Sequence, residues 1–137
     1  MNFRNRLDYW IKLFGLENWT IYVVEEPQEE NHNAKTLADP RYKKATITVY
    51  PQLINNEQMW DSVIIHELIH IVMSTYDFYV DNLGHEIKNE KGEIITDELF
   101  FIARENAVSE LTTIYMRLSG EAFKSHHIFQ KSTYDKD

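Results

Sequence analysis

Residues 66–70 read His66-Glu67-Leu68-Ile69-His70, an HExxH motif inside an otherwise apolar segment. On an α-helix, this spacing places the two histidines about 40° apart on one face. Apolar side chains fill most of the remaining circumference: Trp60, Ile64, Ile65, Leu68, Ile69, Ile71 and Val72. We therefore predict a helix that is buried nearly all round, with the motif as its only mid-helix polar face.

The polar face of this helix has the residue types of a metal site. Two imidazoles on one helical face can reach a single zinc ion, and Glu67 then lies beside the metal as a candidate general base. The alternative is that His66, Glu67 and His70 form the solvated side of an amphipathic helix. A solvated side normally carries Lys, Arg and Gln over several turns, whereas this one ends after the motif. The pattern therefore favours a metal site.

The composition indicates one globular domain. The chain has 137 residues, of which 43% are apolar and 13% aromatic, and a chain of this size can bury a hydrophobic core. It contains no cysteine, which excludes a disulfide framework and a thiolate zinc site. Any zinc ion must therefore take His, Glu or Asp ligands.

Charge and hydropathy limit the classes of partner. The net charge of −8 argues against general affinity for nucleic acid or anionic membranes. The apolar runs are too short to span a bilayer, and the N-terminus lacks the hydrophobic region of a signal peptide. We expect a cytoplasmic protein with no nucleic-acid partner and no membrane partner.

Hydropathy patterning predicts an α+β chain. It places a helix at residues 2–14, strands at 19–24 and 45–50, and a loop or irregular hairpin at 25–40. The motif helix is expected at 57–75, a long connection at 77–97, where a hairpin around Lys91-Gly92 is one option, and a final helix at 98–118. If the 45–50 strand lies at the sheet edge beside the metal, its backbone groups could pair with an extended peptide.

A zinc hydrolase needs a third protein ligand and an open coordination position. The metzincin extension would place glycine at position 73 and histidine at 76, but the chain has Met73 and Tyr76, which excludes that class. Helical phase on the final helix places Glu105 at the border of the apolar face, where an unpaired charge is costly without a cation. Glu105 is the favoured third ligand, and Glu98 and His85 are the alternatives.

A family resemblance extends beyond the motif. The chain has HELIH on one predicted helix, a glutamate on the next, and a helix and two strands before the motif. In these features it resembles the minimal gluzincin-like metallopeptidases often encoded by phages and prophages. The likeness covers about residues 3–118 and includes three further segments: Trp19-Thr-Ile-Tyr-Val, Asp39-Pro-Arg-Tyr-Lys-Lys-Ala-Thr-Ile-Thr-Val and Arg104-Glu-Asn-Ala-Val-Ser-Glu-Leu.

The resemblance implies a fold and a site. The fold is a zincin-like minimal domain at residues 1–120, with an N-terminal helix, a small mainly antiparallel sheet, the HExxH helix and a C-terminal glutamate helix, followed by a polar tail at 121–137. The site is a zinc ion bound by His66, His70 and Glu105, with Glu67 as the base. The location is the host cytoplasm if the chain is phage-encoded.

The leading hypothesis is hydrolysis of a peptide bond in a protein or peptide substrate by a metal-activated water, with Glu67 as general base. The candidates for stabilising the oxyanion are Tyr76, Tyr79, Tyr115 and His85. A second hypothesis is a noncatalytic zinc-containing domain that binds another protein, such as a host factor. A third is a metal-free scaffold in which internal hydrogen bonds satisfy His66 and His70.

Overall fold

A computed structural model describes residues 2–27, 32–82 and 87–125. These residues form, in order, α1 (Phe3–Leu13), β1 (Thr20–Glu25), β2 (Ala34–Asp39), β3 (Lys44–Val49), α2 (Pro51–Ile54), a 3-10 helix (Glu57–Met59), α3 (Trp60–Asn82) and α4 (Thr96–Ser125). The expected α+β class is confirmed. No helix within the described ranges is long and apolar enough to cross a membrane.

Helix α1 forms where the sequence predicts the first helix. The side chain of Asn2, at the N-cap, accepts a hydrogen bond of 2.8 Å from the backbone N–H of Asn5, which satisfies one free donor of the first turn. The helix ends before Gly15, whose φ of 68° lies in the left-handed region that glycine adopts at little steric cost. One face of α1 is buried and consists of Phe3, Leu7, Trp10 and Ile11.

The three-stranded sheet is mixed, whereas the resemblance implied a mainly antiparallel one. The strand order is β1-β3-β2, with β1 and β3 parallel and β2 and β3 antiparallel. The chain reverses direction before β2 and again before β3, so β1 and β3 run the same way. Because β3 is the central strand, residues 45–50 do not form the sheet edge that the peptide-pairing hypothesis required.

Strand β2 lies within the segment that was predicted to be a loop or irregular hairpin. A turn at residues 40–43 joins it to β3, and within this turn Lys43 has a φ of 51°. The Asp39 side chain accepts a hydrogen bond of 3.0 Å from the backbone N–H of Arg41. The strand forms the edge of the sheet beside α3, with the half-buried side chains Ala34, Thr36 and Ala38 alternating with exposed ones.

Helix α3 carries the HExxH motif and is buried over its first three turns, as predicted. Six of the seven expected apolar residues are buried: Trp60, Ile64, Ile65, Leu68, Ile69 and Ile71. The prediction is wrong for Val72, which is 53% exposed. The helix also extends to Asn82, beyond the predicted end at 75. No glycine or proline interrupts residues 76–82, so nothing in the sequence stops the helix there.

A short hairpin-like turn precedes α4, in agreement with the option raised for the connection. A β-bridge joins Lys88 to Ile94, and Gly92 has a φ of 80°. Helix α4 continues to Ser125, past its predicted end at 118. The expected boundary at residue 120 stays a prediction, because residues 126–137 of the tail lie outside the described residues.

A buried polar network ties α1 to the start of α3. The Asp61 carboxylate accepts hydrogen bonds from Arg6 Nε at 2.6 Å, Arg6 Nη2 at 2.5 Å and Trp10 Nε1 at 2.7 Å. Asp61 is buried, so its charge depends on these donors in place of water. The network therefore fixes how the N-terminal helix packs on the motif helix.

We expect Asp61→Ala to lower the free energy of unfolding by about 3 kcal/mol, because it removes the buried carboxylate that accepts hydrogen bonds from Arg6 and from the indole N–H of Trp10. The measurement is urea unfolding followed by circular dichroism. The matched control is Asp8→Ala, which removes the exposed Asp8–Arg4 pair and should cost about 0.5 kcal/mol or less. Equal effects of the two substitutions would contradict a structural role for the buried network.

Candidate metal centre

His66, His70 and Glu105 converge where α3 meets α4. The Nε2 atoms of the two histidines are 3.3 Å apart. Glu105 Oε1 lies 3.3 Å from His70 Nε2, and Glu105 Oε2 lies 3.7 Å from His66 Nε2. Within the described ranges, these are the His, Asp and Glu side chains that come together closely enough to hold a metal ion. The three residues that the sequence nominated as ligands are thus brought to one place.

The distances between these atoms fit a zinc ion. A tetrahedral zinc ion with bonds of about 2.0–2.1 Å separates its ligand atoms by about 3.3–3.4 Å. The observed separations of 3.3–3.7 Å agree with this value to within a few tenths of an ångström. Three protein ligands and an open fourth position are typical of catalytic zinc sites. The residues present therefore fit the metal that the motif implies.

The histidines have the protonation state that zinc requires. Burial lowers the pKa of His66 and of His70, and the negative charge of Glu105 only partly opposes this effect. Both rings are therefore neutral at neutral pH, and a neutral imidazole offers a lone pair to a metal. The metal-free scaffold hypothesis explains the same short distances between the histidines and Glu105 by a ring N–H that donates a hydrogen bond to the Glu105 carboxylate. The metal-free scaffold and the zinc site differ in zinc affinity, which a binding measurement determines.

The structure separates Glu105 from the other carboxylate candidate. Glu98 is exposed on α4 and is not part of the converging group. His85, the remaining alternative, lies outside the described residues.

Of the tyrosines considered for the oxyanion, Tyr76 is 60% exposed and does not line the cleft beside the triad. Tyr115 stacks on Phe14 with ring centroids 4.5 Å apart, and the Tyr79 side chain lies outside the described part.

Glu67 is a buried carboxyl group beside the triad. It is only 4% exposed, and its Oε2 accepts a hydrogen bond of 3.1 Å from Thr36 Oγ1 on β2. In the metal-free protein, burial raises the pKa of Glu67 to about 7, the Thr36 hydrogen bond opposes the rise, and the charge of Glu105 adds to it. A carboxyl group with this pKa exchanges protons near neutral pH, as a general base must.

The triad and Glu67 line a cleft of about 540 Å³ between β2 on one side and α3 with α4 on the other. The lining residues to which the sequence analysis gave no role in the site include Thr36, Ser74, Asp77 and Arg104. Ser74 and Asp77 follow His70 at helical spacing, so extending the motif helix would have placed them on the motif face. Thr36 belongs to the period-two pattern Ala34-Thr36-Ala38, which is a weak strand signal.

Comparisons with protein-family models, with curated proteins and with solved structures found no match to this chain. The resemblance to minimal gluzincin-like metallopeptidases therefore stays a prediction. Three properties of the chain itself support a metal centre: the HExxH motif, the separations of the ligand atoms and the neutral state of the two histidines.

We expect Glu105→Ala to weaken zinc binding by more than about a hundredfold, since loss of a residue that merely supports a ligand already costs ten- to a hundredfold. The measurement is competition with a chromophoric chelator, using protein without a histidine tag. Glu98→Ala, on the same helix and outside the triad, is the matched control and should leave the affinity unchanged. Unchanged affinity in Glu105→Ala would assign the ligand role to another residue, and no zinc binding by the wild type would support the metal-free scaffold.

We expect Glu67→Gln to stabilise the metal-free protein at pH 8 more than at pH 5. The folded-state pKa of Glu67 is about 7, above the ordinary value of 4.5 for this group, so the carboxyl group favours folding only while protonated. That contribution is lost as the pH rises through the folded-state pKa.

The stability difference between the variant and the wild type should therefore grow by about 2 kcal/mol from pH 5 to pH 8. The measurement is urea unfolding in the presence of a chelator. Comparing the two proteins at each pH cancels the titration of the groups they share. A difference that does not change with pH would contradict the raised pKa of Glu67.

Proposed function

We propose that this protein is a zinc-dependent peptidase, in which His66, His70 and Glu105 hold the metal and Glu67 is the general base. One observation carries the proposal: a buried carboxyl group with a pKa near neutrality lies beside a three-ligand set with zinc-like spacing. Enzymes place groups with such perturbed pKa values where protons are transferred. A purely structural zinc site has no need of a base, and it usually has four protein ligands.

Each residue of the candidate site has a separate role in the proposed hydrolysis. A zinc ion at the triad supplies Lewis-acid chemistry, which acidifies water and polarises a carbonyl group. Glu67 accepts the proton of the attacking water and then passes it to the leaving amine. Thr36 donates its hydroxyl hydrogen to Glu67 Oε2, which holds the carboxyl group in one orientation and leaves Oε1 to exchange the proton.

The sheet edge supports a peptide as the substrate. Strand β2 lines the cleft and, in the described part of the chain, pairs with a strand only on its β3 side. An extended peptide can add to such an edge through backbone hydrogen bonds, which orient it whatever its side chains are. The edge role that the sequence analysis gave to residues 45–50 is therefore assigned to residues 34–39.

The second candidate function is a noncatalytic zinc-containing domain that binds another protein. The observation that favours it is an exposed set of apolar side chains on α4, formed by Leu99, Ile102, Leu111, Ile114 and Leu118. Exposed apolar residues in such numbers occur at protein-binding surfaces. This function has no requirement for Glu67, so the two candidates give opposite results in the experiment that follows.

We expect Glu67→Gln to lower the rate of peptide hydrolysis by about a hundredfold or more, because general-base catalysis typically contributes that much. The measurement is digestion of a quenched fluorescent peptide library by zinc-loaded protein, with zinc content determined in parallel. Glu98→Gln, outside the cleft, is the matched control and should retain full activity. If wild type and Glu67→Gln cleave the library at the same rate, or if neither does, the peptidase proposal is wrong and the noncatalytic function is favoured.

A further inference from the structure

The cleft beside the triad contains a cationic side chain to which the proposed mechanism gives no role. Arg104 precedes the ligand Glu105 on α4, about 100° round the helix, and both residues line the same cleft. The Arg104 side chain is 25% exposed. A guanidinium group in this place is close to any peptide whose scissile bond lies at the triad.

The hydrogen-bonding capacity of Arg104 is largely unused within the described residues. A guanidinium group has five N–H donors, yet Arg104 donates no hydrogen bond to the described part of the protein, and its buried Nε has no partner there. Among the described side chains, the nearest carboxylate oxygen is Asp77 Oδ2, which lies 3.8 Å from Arg104 Nη1 and so is beyond hydrogen-bond distance. The pairing with Asp77 therefore leaves donors available to a ligand.

Aromatic rings hold this guanidinium group. Arg104 Cζ lies 5.6 Å from the ring centroid of Phe100 and 5.4 Å from that of Phe101. Such contacts stabilise the cation through its faces and leave the N–H groups at its edges to form hydrogen bonds. An arginine held in this way is suited to bind a planar carboxylate through two parallel hydrogen bonds.

We propose that Arg104 binds a carboxylate of the peptide substrate and so determines specificity for peptides that carry a negative charge close to the scissile bond. This inference rests on the proposed peptidase function, because that function supplies the peptide. The same chemistry serves a C-terminal carboxylate and an acidic side chain. Lys35, the other Lys or Arg in the cleft wall, lies 6.0 Å from the Tyr50 ring centroid and serves as the internal comparison.

The test measures binding without requiring catalysis. Zinc-loaded Glu67→Gln protein is titrated into three labelled pools of random pentapeptides, and binding is followed by fluorescence anisotropy. One pool ends in a free carboxylate, the second is amidated and contains one Glu, and the third is amidated with Gln in place of that Glu. A preference for the first pool identifies a C-terminal carboxylate as the ligand, and a preference for the second identifies an acidic side chain.

We expect at least one carboxylate pool to bind about tenfold or more tightly than the Gln pool, as a charge-assisted hydrogen bond provides. Adding Arg104→Gln should reduce this preference to less than twofold with zinc content unchanged. Arg104→Lys, which keeps the charge but loses the two-point contact, should give an intermediate preference. Lys35→Gln removes the other cation of the cleft wall and should keep the preference intact.

Two results would overturn the proposal. The first is a preference for carboxylate pools that survives Arg104→Gln, since the zinc ion or the general positive field would then be its source. The second is the absence of any preference, or of any measurable binding to the carboxylate pools, in the zinc-loaded protein. If the preference depends on Arg104 but the wild type cleaves no peptide, the carboxylate site stands and the peptidase function fails.

Discussion

The burial of the first turns of α3 is the constraint on which the rest of the structure depends. Apolar side chains cover most of this helix, and the sheet, α1 and α4 pack around it. A polar group enclosed by such a shell is costly unless it has a partner. The structure meets this requirement at Asp61 through Arg6 and Trp10, and at Glu67 through Thr36. The buried carboxyl groups of α3, Asp61 and Glu67, therefore each have a specific hydrogen-bond partner.

The electrostatics of the motif face follow from the same burial. Two neutral imidazoles and the carboxyl groups of Glu67 and Glu105 lie together, and burial opposes charge on each histidine and on Glu67. This group of four side chains is rich in lone pairs and contains no cationic side chain of its own. The proposed zinc ion accounts for it, because a cation at the triad would balance the carboxylates and bind all three ligand atoms at the separations observed. The proposed peptidase function depends on a cation held at the triad in this way.

Much of the fold and of the site was predictable from local patterns. The period of apolar residues located α1 and α3, and helical phase placed Glu105 at the border of the apolar face of α4. Glu98, seven residues earlier, has nearly the same phase, so only the tertiary structure chose between the two carboxylates. The prediction was wrong where burial depends on distant neighbours. Val72 continues the apolar pattern of α3, yet 53% of it is exposed. Hydropathy indicates whether a side chain is suited to burial, whereas the packing of the whole domain determines whether another element covers that side chain. Strand β2 was missed because its alternating side chains are small and one is polar.

The sequence by itself determined the chemistry of the candidate centre: an HExxH motif on a mostly apolar helix, a glutamate at the right phase of a second helix, and the absence of thiolate ligands. The first two features depend on the spacing of residues within one helix. Helix geometry fixes the angle between side chains at a given spacing, so the sequence alone shows which residues share a face. Only the tertiary structure decided that β2, and not the 45–50 strand, is the edge beside the site, that Thr36 reaches Glu67, and that Arg104 shares the cleft. These relations join residues far apart in the chain, and their distances are set by how the sheet and the two long helices pack together.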